Sequence, residues 1–111
     1  MVMNSMESYG LQFQIKVIST LINDKEFLNN VSDTLNSEYF PSQAHKWIVN
    51  EILKYFNKYH TTPTLEVLKI EIQKIDNDVL QVAVKEQLKK SFTIELEDNE
   101  YVKEEFTYSL S

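Results

Sequence analysis

The sequence predicts an all-α protein, a compact bundle of about five to six helices in one domain. Apolar residues recur at spacings of three and four along most of the 111-residue chain. Glycine occurs once and proline twice, too few for the turns of an all-β fold. Between the periodic stretches stand short clusters of Asn, Asp, Ser and Thr, the residues that cap helices.

The first periodic stretch supports two readings. Leu11, Phe13, Ile15 and Val17 alternate with Gln12, Gln14 and Lys16, which alone reads as a strand. Positions 11, 15, 18 and 22, together with 13, 17 and 21, fit helical faces equally well. No partner strand or hairpin turn follows, so a helix from about Ser8 to Ile22 is expected. Asn23-Asp24 breaks it, and Asp24 is placed to cap a shorter helix carrying Phe27, Leu28, Val31 and Leu35.

Asn36 to Leu68 holds the single tryptophan, both prolines and both histidines, and it predicts the central helix of the bundle. Ala44, Ile48, Ile52, Phe56 and Tyr59 form its stripe, widened by Trp47, Leu53 and Tyr55. Trp47, Ile48, Ile52, Phe56, Tyr59 and, beyond the turn, Leu68 are the expected core. Phe40-Pro41-Ser42 starts the helix, because the residue before proline avoids helical geometry and serine caps free N–H groups. Thr61-Thr62-Pro63-Thr64 stops it and caps a fourth helix with Leu65, Leu68, Ile72 and Ile75. Asp76-Asn77-Asp78 is a second turn-and-cap cluster, leading into a fifth helix marked by Leu80, Val84 and Leu88. Ser91 to Glu97 reads as a loop, and Asp98 as the cap of a sixth helix with Val102, Phe106 and Leu110. The stripe of that helix still runs at Leu110 with no C-cap signal, as in a helix cut short. The expected division is a globular part over about residues 8–92 and a separate helix over about 98–111.

Charge narrows the function classes. The net charge is −6, and all eleven basic residues are lysine. Without arginine the chain lacks the fork that most often reads phosphates and guanine edges, so neither direct nucleic-acid binding nor a helix-turn-helix DNA reader is expected. From Glu95 to Ser111, six acids against Lys103 leave −5, read first as a solvated helix face. The absence of cysteine removes disulfides and thiolate metal sites and suits a reducing compartment. Residues 1–10 lack the basic start and apolar core of a signal peptide, and no run approaches the ~20 apolar residues of a membrane span.

Catalytic patterns are missing. One glycine, Gly10, cannot build a phosphate-binding loop, whose glycines let the backbone approach phosphate closely. His45 and His60 stand fifteen apart with no third ligand at helical spacing, so packing or capping at the ends of their helix is expected of them. Ser42 and Thr61 beside them read as caps rather than nucleophiles. Glu95-Glu97 and Glu104-Glu105 lie in a segment where solvation keeps carboxylates ordinary. No cofactor, metal ion or catalytic residue is expected, and the residues describe a helical module that works by binding proteins.

The order F-Q-I-K-V-I-S-T-L-I-N-D, then E-F-L-N-N-V, then S-E-Y-F, then a long helix ending in Y-H-T-T-P-T-L-E-V-L, resembles the N-terminal domain of DnaB-type replicative DNA helicases. The likeness is to the version carried by large tailed bacteriophages and covers about Leu11 to Ile72. It implies a non-catalytic, all-helical domain that shapes a hexameric ring and docks primase or a helicase loader, in the cytoplasm of a bacterial host. The ATPase domain would lie downstream. The sixth helix would be the first arm of a subunit-pairing hairpin, with Tyr101, Val102, Phe106 and Leu110 as interaction residues. Without its second arm the chain is expected to be a monomer or dimer with apolar residues exposed on that helix. A stand-alone helical adaptor that binds a host or phage protein is the alternative.

Overall fold

A computed structural model describes residues 5–111, and its N-terminal stretch is helical: α1 spans Leu11–Asn23. Eight of its thirteen residues are buried, Gln14, Ser19 and Thr20 among them. Those buried polar residues interrupt the apolar face, which leaves the sequence pattern ambiguous. Its buried polar groups find partners locally. Gln14 Nε2 donates to the carbonyls of Met6 (3.0 Å) and Tyr9 (2.9 Å), and the Thr20 hydroxyl to the carbonyl of Lys16 (2.8 Å).

After α1 come α2 (Lys25–Val31), a 3₁₀ turn (Ser37–Tyr39), α3 (Gln43–Tyr59), α4 (Leu65–Ile72), α5 (Asp78–Thr93) and α6 (Asn99–Ser109). The expected capping residues start most of them. Side-chain oxygens of Asp24, Ser42, Thr64 and Asn77 accept from the backbone N–H groups of Phe27, His45, Val67 and Leu80, at 2.9, 3.2, 3.2 and 2.9 Å. Asp98 precedes α6 but does not cap it with its side chain, which is drawn to Lys16 instead. α5 runs through Ser91, Phe92 and Thr93, where a loop is expected from sequence; the buried Ser91 hydroxyl donates to the Gln87 carbonyl (2.9 Å).

The hub is α1, not the long α3 that the sequence points to. α1 packs against α2, α3, α5 and α6, whereas α3 packs against α1, α5 and the 3₁₀ turn. The core joins Ile18 and Leu21 of α1 to Leu28, Phe40, Ile48, Ile52, Leu68, Val84 and Phe106. The radius of gyration, 13.2 Å, is that of a compact domain of this length.

Four of the six expected core residues, Ile48, Ile52, Phe56 and Leu68, are buried. Trp47 lies on the shoulder of the α3 stripe, half-buried against the core. Tyr59 is 54% exposed and belongs to the surface, its ring against Tyr55 (centroids 4.5 Å apart). The last turn of α3 overhangs the bundle, and His60 ends it in the left-handed region (φ 60°). Ser42 caps, as expected, while Pro63 is buried in the turn to α4.

Candidate protein interface on the last helix

α6 is built into the bundle. Val102 and Phe106 are wholly buried, and the Phe106 ring meets Phe27 edge-on (centroids 6.1 Å) and Phe40 at a tilt (6.5 Å). Apolar residues four apart on one helical face are the ordinary signature of such a seat. The expectation that Val102 and Phe106 offer an exposed apolar patch is therefore corrected: their own chain covers them. Leu110, at the end of the helix, is half-buried against the same core.

Polar contacts flank that seat and tie distant parts of the chain to α6. Lys16 Nζ bridges both carboxylate oxygens of Asp98, at 2.8 and 3.0 Å, which holds Asp98 below and Lys16 above their ordinary ranges. Lys103 Nζ lies 3.1 Å from both Glu100 and Asp24, and this pairing with Glu100 first and Asp24 second raises it. The Phe27 backbone N–H and then Lys103 keep Asp24 below its usual range. The Tyr9 hydroxyl donates to Glu105 Oε2 (2.7 Å), and that bond pushes its pKa up to about 12. Tyr9 is itself stacked on Phe13 of α1 (centroids 4.7 Å). Two acids of the C-terminal stretch, Asp98 and Glu105, thus work as fasteners, where a merely solvated face is the first reading of the sequence.

What α6 turns outward is aromatic and acidic. Tyr101 is 60% and Tyr108 75% exposed, seven residues apart and so on one face, with Glu104 between them. Beside them a groove of about 600 Å³ runs between α2 and α6. Phe27 and Tyr108 supply its apolar walls, and Glu26, Glu100 and Glu104 supply carboxylates. Lys103 is its single lysine and is already engaged by Asp24 and Glu100. A partner suited to this surface brings basic side chains around an aromatic or aliphatic anchor. Of the four interaction residues expected from sequence, Tyr101 lies on this face, while Val102 and Phe106 are buried beneath the helix and Leu110 is half-buried against the same core. Tyr108 is the addition, and its seven-residue interval from Tyr101 was the available signal.

The histidines play separate structural parts. His45 is fully buried, with Nε2 2.8 Å from Gln87 Oε1 on α5; with that oxygen as acceptor, Nε2 carries the proton. Nδ1 is left a buried acceptor with no partner among the described residues. Burial lowers the His45 pKa, against a smaller opposing effect of Gln87. His60 is exposed at the end of α3. Among the described residues no group of three or more His, Asp or Glu is disposed to hold a metal ion, and no helix is long and apolar enough to cross a membrane. Compared with known proteins, the chain matches no protein family, no curated protein and no solved structure.

Proposed function

We propose that the chain is a non-catalytic docking module of DNA replication, of the kind found at the N-terminus of DnaB-type replicative helicases, where it serves ring assembly and recruits primase or a loader. The observation that carries this reading is the outer face of α6, where Tyr101 and Tyr108 are exposed and Tyr108 lines an acidic groove. Exposed tyrosines beside fixed charge are characteristic of protein interfaces. The S-E-Y-F and Y-H-T-T-P-T segments that carry the resemblance support the choice of partner. They flank α3: the first lies in and beside the 3₁₀ turn, the second spans its exit into α4.

The test is titration of the purified chain with the primase encoded in the same genome, read by calorimetry and light scattering. A stoichiometric complex with Kd in the micromolar range is expected, weakened at least about tenfold by Tyr108→Ala. Tyr108 is 75% exposed, so the variant keeps the fold. No complex with primase or loader at about 100 μM protein would reject the helicase reading.

One observation favours a second reading, a small adaptor that binds a host or phage protein by itself. The apolar stripe of α6 is covered within the chain, and the α2–α6 groove is complete in one copy. A monomer that ignores primase and loader, yet forms a Tyr108-dependent complex with another replication or host protein, is the outcome that selects it.

A further inference from the structure

A second groove, between α4 and α5, has the opposite electrical character and shares no lining residue with the first. Its volume is about 490 Å³. The floor is Ile72 and Leu88, and the walls are Leu65 and Phe92. Lys69, Lys85 and Lys89 stand around it, and no carboxylate lines it. In a chain of net charge −6 this concentration is not an average property of the surface.

The pairing of the lysines sharpens the point. Among the described residues, Lys16, Lys46, Lys54, Lys74, Lys90 and Lys103 each lie within ion-pair distance of a carboxylate. The other five of the eleven lysines have no such pair among the described residues, and three of those five are the ones around this groove. Lys85 and Lys89 are one turn apart on α5, and Lys69 faces the groove from α4. The two helices are also tied at one end, where Gln81 Nε2 donates to the Ile72 carbonyl (3.0 Å), so the walls are held before any partner arrives.

We infer that the α4–α5 groove docks an acidic amphipathic helix of a partner protein, its apolar side chains over Ile72 and Leu88 and its carboxylates paired with Lys69, Lys85 and Lys89. A cleft between two helices with an apolar floor is the standard seat of an amphipathic helix. α4 from Leu65 to Ile72 is about 10 Å long, room for roughly two turns of such a partner. Charge selects the sign: a basic or neutral segment gains nothing from three unpaired ammonium groups, and an acidic one gains affinity and a faster encounter. This proposal stands without the helicase reading and concerns a different surface.

The probe is a fluorescein-labelled synthetic helix of about 14 residues, with leucines at i, i+4 and i+7 and glutamates on both flanks. Its binding to the whole chain is followed by anisotropy, and its location by amide chemical-shift mapping on the ¹⁵N-labelled protein. Shifts confined to α4 and α5 are expected. At least about tenfold weaker binding is expected both for the triple variant Lys69→Gln/Lys85→Gln/Lys89→Gln and for the same peptide with glutamine in place of glutamate. All three lysines are exposed, so circular dichroism of the triple variant should match the parent. Absence of binding at about 1 mM peptide overturns the proposal, as does equal affinity of the glutamine peptide, or shifts gathered on α6 instead. Binding of the chain to anionic lipid vesicles that the same lysine replacements abolish also overturns it, since the groove would then be reading a membrane.

Discussion

His45 shows how one buried residue sets a pH dependence. Its imidazole is sealed between Phe40, whose ring lies edge-on (centroids 6.2 Å), and Gln87, and burial holds its pKa below the ordinary 6.5. The unfolded chain therefore takes up a proton near pH 6.5 that the folded chain refuses until lower pH. Stability is indifferent to this group above 6.5 and falls as the pH drops from there toward the folded value. The slope reaches at most about 1.4 kcal/mol per pH unit. His45→Gln keeps a hydrogen-bonding partner for Gln87 and should flatten that limb in urea titrations between about pH 6.5 and 5. An unchanged slope in the variant would place the titration elsewhere. The sequence shows His45 as a packing or capping residue at a helix start, which is correct. It does not show Gln87, forty-two positions away on α5.

At the scale of elements, caps were the most legible feature, because a cap is a contact between a residue and the backbone three positions on. Asp24 has the largest role among them. It accepts from the Phe27 N–H at 2.9 Å and also receives Lys103 of α6 at 3.1 Å, so one carboxylate starts α2 and fastens α6. Asp24→Ala should cost about 0.5–2 kcal/mol at neutral pH by loss of the cap. The Asp24 pKa is lowered, so its contribution is present above the ordinary 3.8 and fades as pH falls through the folded value. Parent and variant should therefore converge in acid, measured by urea denaturation at pH 7 and at about pH 2.5. A gap that persists in acid would mean the loss comes from packing instead of the carboxylate. Asp98 was equally legible as a cap position, and there the local rule failed. Lys16, eighty-two residues away, takes both of its oxygens.

The whole molecule decides whether α6 is a projecting arm or part of the core. Its buried Phe106 reaches Phe27 and Phe40, and its polar ties reach Tyr9, Lys16 and Asp24, all in the N-terminal forty residues. Removing α6 would uncover the hub helix α1, so the two should open together. Amide exchange by mass spectrometry should find α6 from Val102 to Phe106 protected to the same level as α1, within about 1 kcal/mol of the global stability. Exchange of α6 at rates far above α1 would restore the picture of a loosely attached arm. The same cooperativity explains why the outer tyrosines make good probes of binding. Tyr108→Ala touches the proposed interface without touching the seat, whereas Phe106→Ala should cost about 3–5 kcal/mol and confuse the two.

The amino-acid sequence by itself determined the helical class, the order of the helices and most of their caps. It also determined the acidic, arginine-free character of the chain. Those properties depend on spacings of three and four residues and on composition, which are local. Tertiary structure decided which helix is the hub, because α1 packs against four others and a stripe does not record how many elements cover it. It decided that Tyr59 faces solvent, since a stripe records only which side of a helix is apolar and not where the bundle beneath it ends. It decided, too, that Val102 and Phe106 are spoken for within the chain. An apolar stripe reads the same whether its own fold or a partner covers it, and only the distance between α6 and α1 in space distinguishes the two.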